Sequence, residues 1–323
     1  MIEKLQIRNL RGIRELDVAG LGRFNLVIGG NGSGKTTFLA AAGLSRNAWN
    51  WPFLSQYLTD PRPRGLLEFS RDLVPLCPGA DLSIEPEVCA WGPSSTTAFK
   101  LVLQRGPQST ATVLDLIRDE TVWRLDFSND VVKPVTTDTR WAATGLWWSP
   151  GFVVSEDSVA RVLEELYLQG QTAAVVRAVQ HINPAVTAVE LAGTRVYVRL
   201  DGHPLPLGLG VLGDGARRIL EFSMATAQEG TRLILIDELE NGFHYSTLPS
   251  VLELLRVASP SRQIFATTHR EELIRTACEC FADANDDGLR ILRLDREGST
   301  HRAVVYTGPE ALAGLDSGLE LRG

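Results

Sequence analysis

Two rhythms of apolar residues alternate along the chain. Short apolar runs, Phe24–Ile28 and Leu233–Ile236, have the length and texture of buried strands, and Arg262–His269 reads as another strand. Looser alternation predicts strands over 2–8, near Arg14–Val18, and over Thr187–Leu191, Thr194–Leu200, Leu289–Leu294 and Ala303–Tyr306. Recurrence at three and four residues, as in Val159, Val162, Leu163 and Leu166, predicts a helix over 156–182, stopped by Asn183-Pro184. Further helices are expected after Gly34, through Ile219, Leu220, Phe222 and Met224, over 247–258, and over Glu271–Cys280.

The texture changes around residues 45–55. Beyond that point Asp81–Ala90, Thr96–Gln104, Thr112–Arg118 and Val122–Phe127 read as consecutive strands separated by turn residues. The expected fold class is α/β, with a core from 1–48 and 200–323 and an inserted lobe over 49–199 that is first β-rich and then helical. Sustained heptads are absent, which excludes a long coiled-coil arm. All seven tryptophans, from Trp49 to Trp148, fall in the lobe. They form either a base-stacking platform or the filling of a small core, and Trp147-Trp148 is the pair whose exposure decides between them.

Composition narrows the class. With 44% apolar residues and a mean hydropathy of -0.01, the 323 residues describe a soluble globular chain able to hold one large core and a second subdomain. No apolar run is long enough to cross a bilayer and Met1-Ile2-Glu3-Lys4 does not open a signal peptide, so a cytoplasmic location without a membrane partner is expected. Cys77, Cys89, Cys278 and Cys280 fit neither a zinc template nor a disulfide framework, and are expected to be reduced and structural. A net charge of -7 supplies no global basic field, while the predominance of arginine among the basic residues leaves room for a local basic face. Charge alone neither supports nor excludes DNA.

The chemistry lies in the turns that follow the apolar runs. Gly29-Gly30-Asn31-Gly32-Ser33-Gly34-Lys35-Thr36-Thr37 fits G-x-x-x-x-G-K-[ST], placed between a strand and a helix as a phosphate-binding P-loop requires. Its glycines allow backbone N–H groups to curl around a triphosphate, Lys35 reaches the β- and γ-phosphates, and the Thr36 hydroxyl sits on Mg²⁺. The chain is therefore expected to bind ATP with Mg²⁺. The run Leu233–Ile236 ends in Asp237-Glu238, the first carboxylate placed to hold the metal and the second to polarise an attacking water. Gly213-Asp214-Gly215, followed by Arg217 and Arg218, opens a helix and is a second candidate anion site. His269, at the end of the strand Arg262–Thr268, lies where open α/β sheets bind ligands, with His244 as its competitor. Arg8 and Arg11 either touch the nucleotide or face solvent. The acidic turn Asp283–Gly288 lacks EF-hand spacing and reads as a solvated hairpin connection.

In this order the motifs resemble the ABC-type ATPases, specifically the branch of SMC, RecF and OLD proteins, and within it a standalone OLD-like ATPase. The stretches IEKLQIRNLRGI…FNLVIGGNGSGKTTFL, LGDGARRIL, LILIDELENGFHYS and QIFATTH are similar to that branch's opening, signature, Walker B with D-loop, and switch-histidine strand. The likeness covers 1–45 and 200–280. It implies that His269 is the switch histidine, that Gly242-Phe243-His244 lies in the D-loop, and that two chains dimerise head to tail. Each ATP would then lie between one P-loop and the other chain's Gly213–Gly215 helix opening. Gly213 stands where the signature serine is usual, which removes a hydroxyl donor that backbone N–H groups and Arg217 or Arg218 would replace. Gln104 and Gln108 are candidates for the Q-loop glutamine. The transporter signature is absent. About fifty residues follow His269, too few for the Toprim nuclease of related chains. The resemblance implies a homodimer or higher homo-oligomer working with a separate effector protein, such as a nuclease, in bacterial anti-phage defence. A DNA-clamping repair ATPase and a scaffold with structural nucleotide are the competing expectations.

Overall fold

The computed structural model describes residues 1–47, 85–93, 95–105, 111–118, 121–126, 133–134, 145–148, 156–180, 183–227 and 231–321. The chain opens with β1 (Lys4–Leu10) and β2 (Ile13–Ala19), then β3 (Phe24–Ile28), which runs through the glycine loop into α1 (Lys35–Asn47). Strands β4 (Glu87–Gly92), β5 (Ser95–Arg105), β6 (Ala111–Arg118), β7 (Thr121–Asp126), β8 (Lys133–Pro134) and β9 (Gly145–Trp148) follow. Helices α2 (Glu156–Leu168) and α3 (Thr172–Gln180) lead to β10 (Val186–Ala192), β11 (Arg195–Leu200) and β12 (Leu207–Gly208). The last stretch alternates α4 (Gly213–Ala227), β13 (Leu233–Ile236), α5 (Leu248–Ala258), β14 (Gln263–Thr267) and α6 (Glu271–Asp283), and closes with β15 (Leu289–Glu297), β16 (Thr300–Thr307) and α7 (Gly308–Asp316). No helix among the described residues is long and apolar enough to cross a membrane.

The central sheet has six strands in the order β16-β15-β3-β14-β13-β9, parallel from β15 to β9. Every residue of β3, β13 and β14 is buried, which is why these strands read as unbroken apolar runs rather than alternating ones. One apolar cluster, including Ile7, Ile13, Phe38 and Phe265, packs α1 between this sheet and an antiparallel seven-stranded sheet. A second cluster, including Phe222, Ile236, Leu252 and Phe281, covers the opposite face with α4, α5 and α6.

Strand pairing cuts across the boundaries expected at 49 and 199. The seven-stranded sheet has the order β2-β1-β4-β5-β6-β7-β8, so the β-rich stretch continues the N-terminal hairpin rather than standing apart from it. Strand β9 pairs in parallel with β13 and forms the edge of the central sheet. Sheet membership is decided by partners far away in sequence, which a shift of composition does not mark. The helix expected over 156–182 is two helices. The chain turns at Gly170, whose φ of +70° suits glycine, and the N–H of Gln171 bonds back to Leu166 O at 2.8 Å, closing α2.

A buried glutamine ties the first residues to the sheet. Gln263 accepts from Ile2 N–H at 2.6 Å and donates to Ile2 O and Gly22 O at 2.7 and 2.8 Å. Gln263→Leu leaves Ile2 N–H and Ile2 O without these partners in an apolar setting, while Gly22 O keeps its bond from Asn25 Nδ2. Denaturant unfolding is expected to show a loss of about 3 kcal/mol, given a cost of about 1–3 kcal/mol for each orphaned group.

The acidic turn joins α6 to β15 rather than connecting a hairpin, and it is not merely solvated. Asp286 accepts from Arg23 and from Gly288 N–H, and its second oxygen lies 3.5 Å from Arg256. Cys89, Cys278 and Cys280 are free thiols, and burial pushes the last two up to about 12 and about 11. Trp91 packs under Lys4, whose ammonium lies 4.7 Å from the ring centre. The side chains of Trp123, Trp147, Trp148 and Gln104, together with Trp49, Trp51, Trp141, Cys77 and Gln108, lie outside the described residues.

Candidate active site

Three strand ends converge on one cavity of about 370 Å³ at the carboxyl edge of the central sheet. The P-loop follows β3, Asp237-Glu238 follows β13, and Thr268-His269 follows β14, so sheet order alone brings them together. Asn31, Gly32, Gly34, Lys35, Thr36 and Thr37 line the floor. Gly29 and Ser33 support it from beneath. A Cβ on Gly29 would lie 2.3 Å from Leu294 O, and the backbone there has a φ of +142°, so only glycine fits. In α1 the N–H of Phe38 already bonds Gly34 O, while the N–H groups before it belong to the first turn of the helix. Together they make the concave donor array that binds phosphate.

Lys35 donates from Nζ to Gly29 O at 2.7 Å and Gly30 O at 3.0 Å, which holds the ammonium over the loop. Burial lowers its pKa, while Asp237, Glu238 and Glu240 pull it back up. Thr36 Oγ1 donates to Asp237 Oδ2 at 2.9 Å, and Thr267 Oγ1 donates to Asp237 Oδ1 at 2.6 Å. Asp237 is therefore fixed between two hydroxyls. No group of three or more His, Cys, Asp or Glu side chains among the described residues forms a metal cage. The Thr36–Asp237 pair is instead a hard-oxygen site of the kind Mg²⁺ takes, with phosphate and water completing the shell.

Glu238 sits beside this pair with a positive φ of 51°, uncommon for a side-chain-bearing residue. Its N–H donates to Thr267 Oγ1 at 2.8 Å, and Leu239 N–H donates to Thr267 O at 2.9 Å. Thr267 thus holds the turn that aims the carboxylate at the cavity, and local strain of this sort gathers at functional sites. His269 lines the same cavity with its side chain 56% exposed, and its Nδ1 lies 3.1 Å from Glu240 Oε1. Glu240 is 3% exposed and its Oε2 has no partner.

Of the two candidate histidines, His269 faces the cavity. His244 is exposed and bonds Ser246 at 2.9 Å. Arg8 is held by Glu15 and Asp17 across the hairpin, and of the β1–β2 turn it is Gly12 and Ile13 that line the cavity.

Gly213, Asp214, Gly215 and Arg217 do not line this cavity. Gly213 and Asp214 are exposed at the start of α4, and Arg217 pairs with Glu221 at 3.1 Å. The helix opening is locked to the loop after β13. A Cβ on Gly215 would meet Gly242 O at 2.9 Å, and Arg218 donates to Asn241 O while its guanidinium lies 5.8 Å from the rings of both Phe222 and Phe243.

Thr267, Thr268, Glu240, Gly12, Ile13, Arg296 and His301 belong to the site without having been singled out in the sequence. The two threonines were findable, since hydroxyls directly before a strand-end histidine occupy the same sheet edge. Arg296 and His301 carried no local signal.

Comparison with known proteins bears on the fold. Residues 136–275 match the family model described as "AAA domain, putative AbiEii toxin, Type IV TA system". An "ATP/GTP phosphatase" of Helicobacter pylori is 34% identical over 71 residues, which cover 20% of this chain and 19% of that protein. The matched stretch thus spans about a fifth of the length of that curated relative. Among solved structures, the Smc head domain with an extended coiled coil bound to the C-terminal domain of ScpA, from Pyrococcus furiosus, aligns with a TM-score of 0.60 at 11% identity, covering 99% of both chains. The SMC head domain from Thermotoga maritima aligns with a TM-score of 0.52 at 12% identity, covering 94% of this chain and 98% of that one. The chain thus has the P-loop NTPase fold of the ABC type seen in SMC heads, and part of it is similar to an AAA domain.

Proposed function

We propose that the chain is a Mg²⁺-dependent ATPase whose ATP-bound form is a head-to-tail dimer that gates a separate effector protein, in bacterial anti-phage defence. The observation that carries the ATPase reading is the Thr36–Asp237–Thr267 network beside Glu238 over a complete P-loop. Lys35 and the loop N–H groups bind and orient the triphosphate. Mg²⁺, when bound at Thr36 and Asp237, neutralises charge on the phosphate oxygens. Glu238 takes the proton of the attacking water, and His269, oriented by Glu240, meets the γ-phosphate end. ATP is expected to be hydrolysed in Mg²⁺ and not in EDTA. Equal rates in the two buffers would contradict the metal assignment.

The dimer reading rests on the signature helix. Its exposed Gly213 and Asp214 lie outside their own chain's cavity, so their contact with nucleotide requires a second copy. The defence setting rests on the resemblance of the motifs to OLD-like ATPases. A second reading, a DNA-clamping ATPase of the SMC or RecF kind, is favoured by the fold shared with SMC heads over nearly the whole chain. It predicts ATP-dependent DNA binding that weakens steeply with salt, and absence of binding at low salt would exclude it.

A further inference from the structure

The cavity has a second wall, and strand order places it. In β16-β15-β3-β14-β13, the strand that feeds the P-loop has the threonine- and carboxylate-bearing strands on one side and the β15–β16 hairpin on the other. The hairpin overhangs the loop. Leu294 O sits over Gly29, and Arg296 Nη1 lies 3.5 Å from the Gly32 carbonyl.

His301, on β16, is 7% exposed and lines the cavity, and its Nδ1 is buried without a hydrogen-bond partner. Its ring lies 3.7 Å, and the Ile13 side chain 3.1 Å, from the point where a Cβ on Gly34 would stand, so the two side chains share one corner. Burial and then Arg296 depress the imidazole pKa, against a backbone hydrogen bond at Ser299, and the ring is neutral near pH 7. A buried ring nitrogen without a partner carries a desolvation cost that a ligand able to hydrogen-bond it removes.

A triphosphate seated on the P-loop with its γ end toward Glu238 must send its other end toward this wall. We infer that His301, with Ile13 and Arg296, forms the subsite for the nucleoside end of the bound nucleotide. In that subsite the imidazole, turned about its Cβ–Cγ bond so that Nδ1 takes the place of Cδ2 beside Gly34, hydrogen-bonds a polar group of the base or ribose, and Ile13 supplies an apolar contact. The inference rests on the nucleotide reading above and adds to it a specificity residue from the C-terminal hairpin.

Calorimetric titration of wild type and His301→Leu with Mg-ATP and with Mg-tripolyphosphate tests it. His301→Leu is expected to weaken ATP roughly tenfold, the worth of one buried hydrogen bond, and to leave tripolyphosphate unchanged. Arg296→Ala, at an exposed position with little risk to folding, is expected to shift ATP in the same direction by a smaller factor. Affinity of His301→Leu that is unchanged for ATP, or lowered equally for both ligands, would overturn the inference. Should His301→Leu not fold, unchanged ATP affinity in Arg296→Ala overturns it. A wild type that binds tripolyphosphate and ATP alike leaves the P-loop assignment standing and overturns the subsite alone. A wild type that binds neither overturns the nucleotide reading and the subsite together.

Discussion

Glu238→Gln is expected to slow ATP turnover by about 10²–10⁴-fold, the usual worth of a positioned general base, with ATP affinity changed by no more than a few-fold. The amide keeps the size and hydrogen-bonding reach of the side chain, and Thr267 still holds the turn through Glu238 N–H. What is lost is the capacity to accept a proton. The drop therefore falls on kcat with KM little altered, the signature of an interaction made in the transition state. Single-turnover hydrolysis checks this, and a rate equal to wild type would remove Glu238 from the chemistry.

Lys35→Ala carries the second large effect, on binding rather than on turnover. The ammonium is already anchored on Gly29 O and Gly30 O, half-buried, with three carboxylates near enough to offset its desolvation. On binding it exchanges loop carbonyls for phosphate oxygens. Loss of two charge-assisted bonds, each about 1.5–3 kcal/mol, is expected to weaken ATP by on the order of 100-fold or more, at 1.4 kcal/mol per tenfold. Titration with ATP at fixed Mg²⁺ measures it, with a thermal melt to show that the loop still folds. Affinity within a few-fold of wild type would mean that the nucleotide is held elsewhere.

The central sheet was legible because β3, β13 and β14 are buried on both faces, and burial of that kind writes itself as contiguous apolar residues. Their loops carry the P-loop, Asp237-Glu238 and His269 at fixed offsets from the strand ends, so local sequence was enough to find them. The β9 edge and the β1–β4 pairing were not legible. A strand four residues long in a tryptophan-rich stretch gives no sign of whether its partner is a neighbour or β13, far along the chain. Gly170 broke the predicted long helix because the 3.6-residue period on either side of it looks continuous when the glycine's positive φ is unknown. The same limit hid His301, which reaches the cavity only because β15 pairs in parallel with β3 and β16 folds back beside it. Glu240 was hidden for a related reason, since its contact with His269 joins two loops that are separate in sequence and adjacent only across the sheet.

The proposed link from site to mechanism is association driven by nucleotide, and the most direct test of it is the solution mass of Glu238→Gln with and without Mg-ATP. A rise from one chain's 35.4 kDa to twice that is expected on adding Mg-ATP, and is expected to be lost when Gly213→Trp blocks the exposed helix opening. A mass that stays at one chain in saturating Mg-ATP would contradict it.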